Sequence, residues 1–393
     1  MAKVLPLFLG LALIASPAFS SELGDVTVVV DTHTIPVRVS GNTPELNALA
    51  QQAFGSHGRY RAEAVGYAYD IRFTAASASS VEVDIVKAGG SAASGVVSGT
   101  SLRNALLRAA DLAVERTNGQ GLRGFFTAKL AFVCGSGSRK EVYVSDLFGG
   151  EARRITSDGA IAMFPRWSPD GTRLLYTSWL HGAPDIYLIN LSSYQRSTFE
   201  SFRGSNFSAR FSPDGRRVAM ILTGSGNSEI FVSDSEGHSL VRLTNSETPK
   251  SSPCWSPDGS RIVYGAGETS PQLYVMAASR GAGSRRIAGG FSGWCSEPDW
   301  SRTNPNKIAF TSKQGGNFQI AVVDLSTGAP SVVSKAPFDG MQPNWLADGR
   351  HIVYTASDRS TSRLCILDTE SGKSTAVSPR MLGSAMQASV LSR

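Results

Sequence analysis

The sequence predicts a mainly β protein: a six-bladed β-propeller with C-terminal strand closure, preceded by a small α/β domain. Three observations carry this. The first is a returning phrase, Trp167-Ser-Pro-Asp-Gly171, Phe211-Ser-Pro-Asp-Gly215 and Trp255-Ser-Pro-Asp-Gly259, with eroded copies at Trp300-Ser-Arg-Thr-Asn304 and Trp345-Leu-Ala-Asp-Gly349. Its aromatic anchors stand 44 or 45 residues apart, the length of one four-stranded blade. The second is a strand pattern that occurs six times, at Lys129, Arg173, Arg217, Arg261, Lys307 and His351, each followed by three apolar residues. The third is at the C-terminus. Met386-Gln-Ala-Ser-Val-Leu391 repeats Met341-Gln-Pro-Asn-Trp-Leu346 in register, 45 residues on. The first unit has no anchor strand of its own, so the C-terminus is expected to supply it. That closure removes the exposed edge strands of the ring.

The elements before the ring read as follows. Residues 1–20 have the form of an export signal: Lys3, an apolar run from Val4 to Ala15, and small residues Ala18 and Ser20 before a cleavage site near Ser20. Residues 21–120 lack the repeat and are assigned to the small α/β domain; residues 121–393 are assigned to the propeller. Val26–Val30 is β-rich. Thr43 and Pro44 open a helix with Leu46, Leu49, Ala50, Ala53 and Phe54 on one face, and Gly55 can end it. Ala68–Thr74 and Val81–Val86 read as strands. Gly89–Ser101, rich in Gly, Ser and Ala, reads as a loose loop. A second helix spans about Leu102–Arg116, closed by Asn118-Gly119.

Within each blade the anchor strand ends at its aromatic residue and a tight turn follows. Pro presets φ, Asp bonds the backbone ahead, and Gly takes the left-handed position. Trp167, Phe211, Trp255, Trp300 and Trp345 are therefore expected to be core anchors. Asp170, Gly171, Asp214, Gly215, Asp258, Gly259, Asp348 and Gly349 are expected to be turn residues.

Composition narrows the function. The formal charge is +6, or +5 once Lys3 is removed, and the basic residues are scattered, which argues against a nucleic-acid stripe and for solvated positions. No segment after residue 20 holds 18 apolar residues, so a soluble mature chain is expected. Cys134, Cys254, Cys295 and Cys365 fall at different positions in their repeats and form no CxxC; free or opportunistically paired core thiols are expected, not zinc. The five histidines, His33, His57, His181, His238 and His351, are far apart in sequence, and His351 fills a slot held elsewhere by Lys or Arg, which suggests a surface residue. There is no GxSxG elbow and no HExxH. No catalytic residue, metal or cofactor is expected.

The loops that lead into the anchor strands gather on one face around the channel. They carry Met163, Phe164, Phe202, Phe207, Phe291, Trp294, Phe338 and Met341. Aromatic and Met side chains there suit a protein interface. The alternative is that they fold back and seal the ring.

This layout, with the junction Gly121-Leu-Arg-Gly124-Phe125-Phe126-Thr127-Ala128-Lys129 leading into the first blade, resembles the TolB family of the Tol-Pal system. The resemblance implies a monomeric, non-enzymatic periplasmic scaffold for envelope integrity and cell division. It implies that a Pal-like lipoprotein binds the propeller face. A TolA-like protein would engage the N-terminal segment, here Asp25, Val26, Val28, Val30 and Asp31, free or docked, for instance by strand addition. Three departures stand out. An apolar family-like strand is missing after Val26–Val30, Ser205-Asn-Phe-Ser208 stands where a loop histidine is expected, and Val390-Leu391-Ser392 replaces an anchor aromatic. Two other readings remain open: a propeller enzyme such as a polysaccharide lyase, and a generic protein or glycan adaptor.

Overall fold

The computed structural model describes residues 34–90, 92–118, 122–287, 293–358 and 360–392. The export signal, the segment Asp25–Asp31, His33 and Phe291 lie outside the described residues.

The first unit is a five-stranded sheet with two helices: β1 (Ile35–Gly41), α1 (Pro44–Ser56), β2 (Tyr60–Ala62), β3 (Tyr69–Ser77), β4 (Ser80–Lys87), β5 (Ala92–Ser98) and α2 (Leu102–Asn118). The strand order is β2-β1-β3-β4-β5, with β1 parallel to both its neighbours and the rest antiparallel. Thr43 caps α1, its Oγ1 accepting from Leu46 N at 3.3 Å, and Pro44 opens the first turn. Leu46, Leu49, Ala50, Ala53 and Phe54 are buried, as are Val81, Val83 and Ile85 of β4.

Three local expectations are corrected. Gly89–Ser101 is not a loose loop: it contains β5, paired to β4 with Val81 opposite Val97. A ladder is built from backbone groups, so an edge strand can form from small residues that bury little. Next, β1 is an apolar strand where the sequence suggested that none follows Val26–Val30; its single-residue alternation is interrupted by Pro36 and is easily missed. Finally, α1 runs through Gly55 and is capped at His57 in extended conformation.

The rest is six four-stranded antiparallel sheets. Their innermost strands are Ala162–Trp167, Asn206–Phe211, Lys250–Trp255, Cys295–Trp300, Asp339–Trp345 and Ala385–Leu391, each touching the next and the last touching the first. The ring closes with the C-terminal strand: Ala385–Leu391 pairs with Lys129–Ser136, Val390 opposite Leu130. The seam is stitched by Trp167, whose backbone N donates to Ser389 Oγ at 3.3 Å and whose Nε1 donates to Ser389 O at 3.1 Å.

The anchor aromatics are buried. In the intact turns Ser168, Ser212 and Ser256 each donate to the turn aspartate, at 2.5 Å in each case, and Gly171, Gly215 and Gly259 adopt φ of +68° to +73°. The basic residue opening the second strand is not merely solvated. The guanidiniums of Arg173, Arg217 and Arg261 sit over the rings of Phe211, Trp255 and Trp300, 4.6–5.2 Å from the centroids, so these three blades each staple the next. In the same slot His351 is fully buried, which corrects its assignment to the surface. The reason is tertiary: the N-terminal unit covers that turn.

All four cysteines are buried, and no disulfide joins them. Burial alone pushes the Cys134 thiol up to about 12.

Candidate functional site

The channel is built by one register position repeated six times. Phe164, Ser208, Ser252, Glu297, Gln342 and Gln387 all have φ between +50° and +57°, and none is glycine. At each of them the pairing of the innermost strand with its neighbour slips by a bulge. A left-handed non-glycine residue costs about 1–2 kcal/mol, and six persist because the surroundings hold them. Three of the amides so turned are tied to a neighbouring blade. Phe164 N donates to Gln387 Oε1 at 2.9 Å, Gln342 N to Glu297 Oε2 at 3.1 Å, and Gln387 N to Thr355 Oγ1 at 3.0 Å. In four blades the next residue is proline, which the channel-facing edge of an innermost strand tolerates because no ladder bond is needed there.

Two residues further on is a second ring: Arg166, Arg210, Cys254, Asp299, Asn344 and Ser389. The first ring lines a narrow cavity on the loop side, which Arg166, Arg210 and Asn344 of the second ring also reach. Five members of the second, all but Cys254, line a narrow cavity on the turn side, joined there by Arg302. Arg210 is paired with Asp299, whose other oxygen accepts from Trp345 N at 2.8 Å. Among the described residues the Arg166 side chain donates only to Pro165 O, at 3.2 Å. Burial, and then the repulsion of Arg210, push its pKa down to about 10. Glu297 accepts from Thr311 Oγ1 at 2.7 Å, and burial raises its pKa.

The residues expected at the loop face are distributed unevenly. Phe164 lines the channel mouth. Phe202 is 50 % exposed, the most open of the set. Met163 and Met341 are half-buried beside the mouth. Phe207 and Phe338 lean onto the blade cores. Trp294 is half-buried, donating Nε1 to Ser296 Oγ at 2.6 Å and standing edge-on to Phe318 at 5.9 Å. Sequence reasoning missed both channel rings, although stacking the repeats one above another and reading the columns three and one residues before each anchor displays them.

A second cluster lies where the end of α1 meets the turn after Trp345. His57 and His351 stand ring to ring at 4.4 Å, although 294 positions apart in sequence numbering. His351 Nδ1 is 2.5 Å from Asp348 Oδ2, and its Nε2 accepts from Gly58 N at 3.2 Å. Burial opposes the Asp348 charge, but His351 outweighs it and holds the carboxyl down to about 2. Burial, then His351, lowers the His57 pKa well below 6.5, and its Nε2 has no partner. The ligand atoms of His57, Asp348 and His351 lie within 4.8 Å of one another, close enough to grip a cation. Yet Asp348 Oδ1 already accepts from Arg350 N and His351 N, and only His57 Nε2 is unengaged. All three residues are buried, so the cluster works as a joint closed to substrate. Asp348 is thereby more than a turn residue. His181 and His238 are exposed.

Comparison with known proteins completes the picture. Residues 117–389 match the family described as the TolB beta propeller domain. The Tol-Pal system protein TolB of Bordetella pertussis is 35 % identical over 218 residues, 54 % of this chain and 47 % of that protein; the B. bronchiseptica protein matches to the same extent. The match thus spans about half the length of these curated relatives. Among solved structures, TolB from Acinetobacter baumannii superposes with a TM-score of 0.81 at 20 % identity, covering 95 % of this chain and all of that one. A putative TolB from Agrobacterium tumefaciens does so at 0.53 and 21 % identity, covering 68 % of this chain and 98 % of the other. No helix among the described residues is long and apolar enough to cross a membrane. With the closed six-bladed ring, its α/β companion and a family match over most of the chain, this protein belongs to the TolB family, as a distant member.

Proposed function

We propose that this chain is a non-enzymatic, periplasmic protein-binding scaffold of Tol-Pal type. It holds a Pal-like outer-membrane lipoprotein at the loop side of the channel and a TolA-like partner through Asp25–Asp31, serving envelope integrity and cell division. It acts as a monomer and needs no cofactor. The observation that carries this reading is the family match across the whole ring, whose curated relatives bear the Tol-Pal name. The loop side supports it chemically. Exposed Phe202 and half-buried Trp294 and Met341 surround a polar ring, an arrangement of apolar anchors and satisfied polar groups that suits a protein partner. The export signal of residues 1–20 supports the compartment.

The test is a calorimetric titration of the chain from Ser21 with the soluble domain of the same organism's Pal-like lipoprotein. Saturable binding is expected, weakened roughly tenfold by Trp294→Ala. Absence of heat with both proteins folded would overturn the Pal assignment and move the partner to another protein or a glycan. Removal of residues 21–33 should abolish capture of a TolA-like domain while leaving Pal binding in place.

A further inference from the structure

The turn side of the channel presents an uneven charge balance. Arg166, Arg210 and Arg302 line one cavity with a single carboxylate, Asp299, and Asp299 is engaged by Arg210 and by Trp345 N. Glu297 lies one ring away on the loop side, its Oε2 accepting from both Thr311 Oγ1 and Gln342 N. Arg302 is exposed at the turn-side mouth. Neither Arg166 nor Arg302 has a carboxylate within ion-pair distance among the described residues. Asn344 and Ser389 add polar groups to the same wall. Guanidiniums kept charged in a narrow, low-dielectric cavity call for a counter-ion, and their planar forks match the oxygens of a phosphate or sulfate.

We propose that the turn side of the channel binds a small tetrahedral oxyanion, phosphate or sulfate, between Arg166, Arg210 and Arg302. Burial and the mutual repulsion of the guanidiniums, which lower the pKa of Arg166 and Arg302, agree with a site whose compensating charge is a ligand. The site adjoins the loop-side cavity, which Arg166 and Arg210 also line, and Arg302 belongs to the turn side alone. The exposed mouth at Arg302 would admit the ion free or as the head of a phosphomonoester.

The experiment is calorimetry and thermal melting of the exported chain in chloride buffer, titrated with inorganic phosphate, sulfate and glycerol 3-phosphate, with sodium chloride matched for ionic strength. Saturable one-site binding of phosphate or sulfate is expected, with a rise in Tm that chloride does not reproduce. Binding of glycerol 3-phosphate as well would mark an esterified source; its exclusion would mark the free ion. Arg166→Gln and Arg302→Gln should each weaken binding roughly tenfold or more. In chloride alone Arg166→Gln should melt no lower than the parent, because it removes a cation with no ion-pair partner. Arg302→Gln, at an exposed position, tests the site even if Arg166→Gln fails to fold. The proposal falls if phosphate and sulfate give no saturable heat, if chloride raises Tm equally, or if Arg302→Gln binds as the parent does.

Discussion

At the residue scale, the most consequential side chain is His57. It sits against Phe125, Tyr60 and His351, with an unpartnered Nε2. The titratable groups facing it are His351, Asp348, Arg350 and Asp368. Its folded pKa lies below 6.5, so the unfolded chain takes up the proton first. The stability His57 allows is complete above about pH 6.5 and is lost as pH falls toward the folded value. Asp111 acts in the opposite sense. Burial pushes it up to about 6, although it accepts from Phe126 N at 2.9 Å and Thr127 N at 3.1 Å, so acid relieves part of its cost. His57→Phe, which fills the aromatic nest without a titrating group, should flatten the fall in Tm between pH 6.5 and about 5. Thermal melts across that range check this; an unchanged slope would clear His57 as its source.

At the scale of elements, the innermost strand does three jobs in six residues. Its bulge turns an amide that in three blades bonds a neighbouring blade, a residue two further on belongs to the second ring, and its terminal aromatic anchors the core and, at Phe211, Trp255 and Trp300, receives the neighbouring blade's arginine. The C-terminal strand performs the first two with Gln387 and Ser389 and replaces the aromatic with Val390. Deleting residues 385–393 would leave Lys129–Ser136 as an unpaired, apolar edge. The expected outcome is loss of the single cooperative melt and concentration-dependent association, read by calorimetry and light scattering. A truncated chain that stays monomeric with its melt intact would mean that closure is not what stabilises the ring.

At the scale of the whole molecule, the α/β unit and the ring share one core. Phe54 and Phe73 of the small sheet, Phe125 and Phe126 of the junction, and Leu346 and Val353 of the ring form a continuous cluster. Around it run polar ties: Arg103 to Asp146, Lys373 to the Gly55 carbonyl, and the buried pair of Arg350 and Asp368, with Nε to Oδ1 at 2.8 Å. Breaking one partner of such a pair is costly because it strands a buried charge. Gly58 marks how tight the joint is: a Cβ there would fall 1.8 Å from Asp368 Oδ2. Gly58→Ala should therefore lower stability by about 1–3 kcal/mol and loosen the two units. The check is whether calorimetry then resolves two transitions where the parent has one.

The six blades, their closure by the C-terminal strand, the anchor aromatics and the first helix were legible in the sequence, because repeat period, turn chemistry and helical spacing are local properties of the chain. The channel rings were half legible. Their columns are visible in the repeats, but that one column is bulged and the other meets an arginine from across the ring follows only from closing the circle. Arg210 meets Asp299 across 89 positions. The edge strand β5 was hidden because its pairing uses backbone groups that any residue carries. His351 was misread for the same physical reason that His57 was passed over. Burial and pKa are set by what packs on a residue, and what packs on these two is each other, brought together by two units docking. Sequence determined the elements and their order; tertiary structure alone decided which charges are buried and which face the channel.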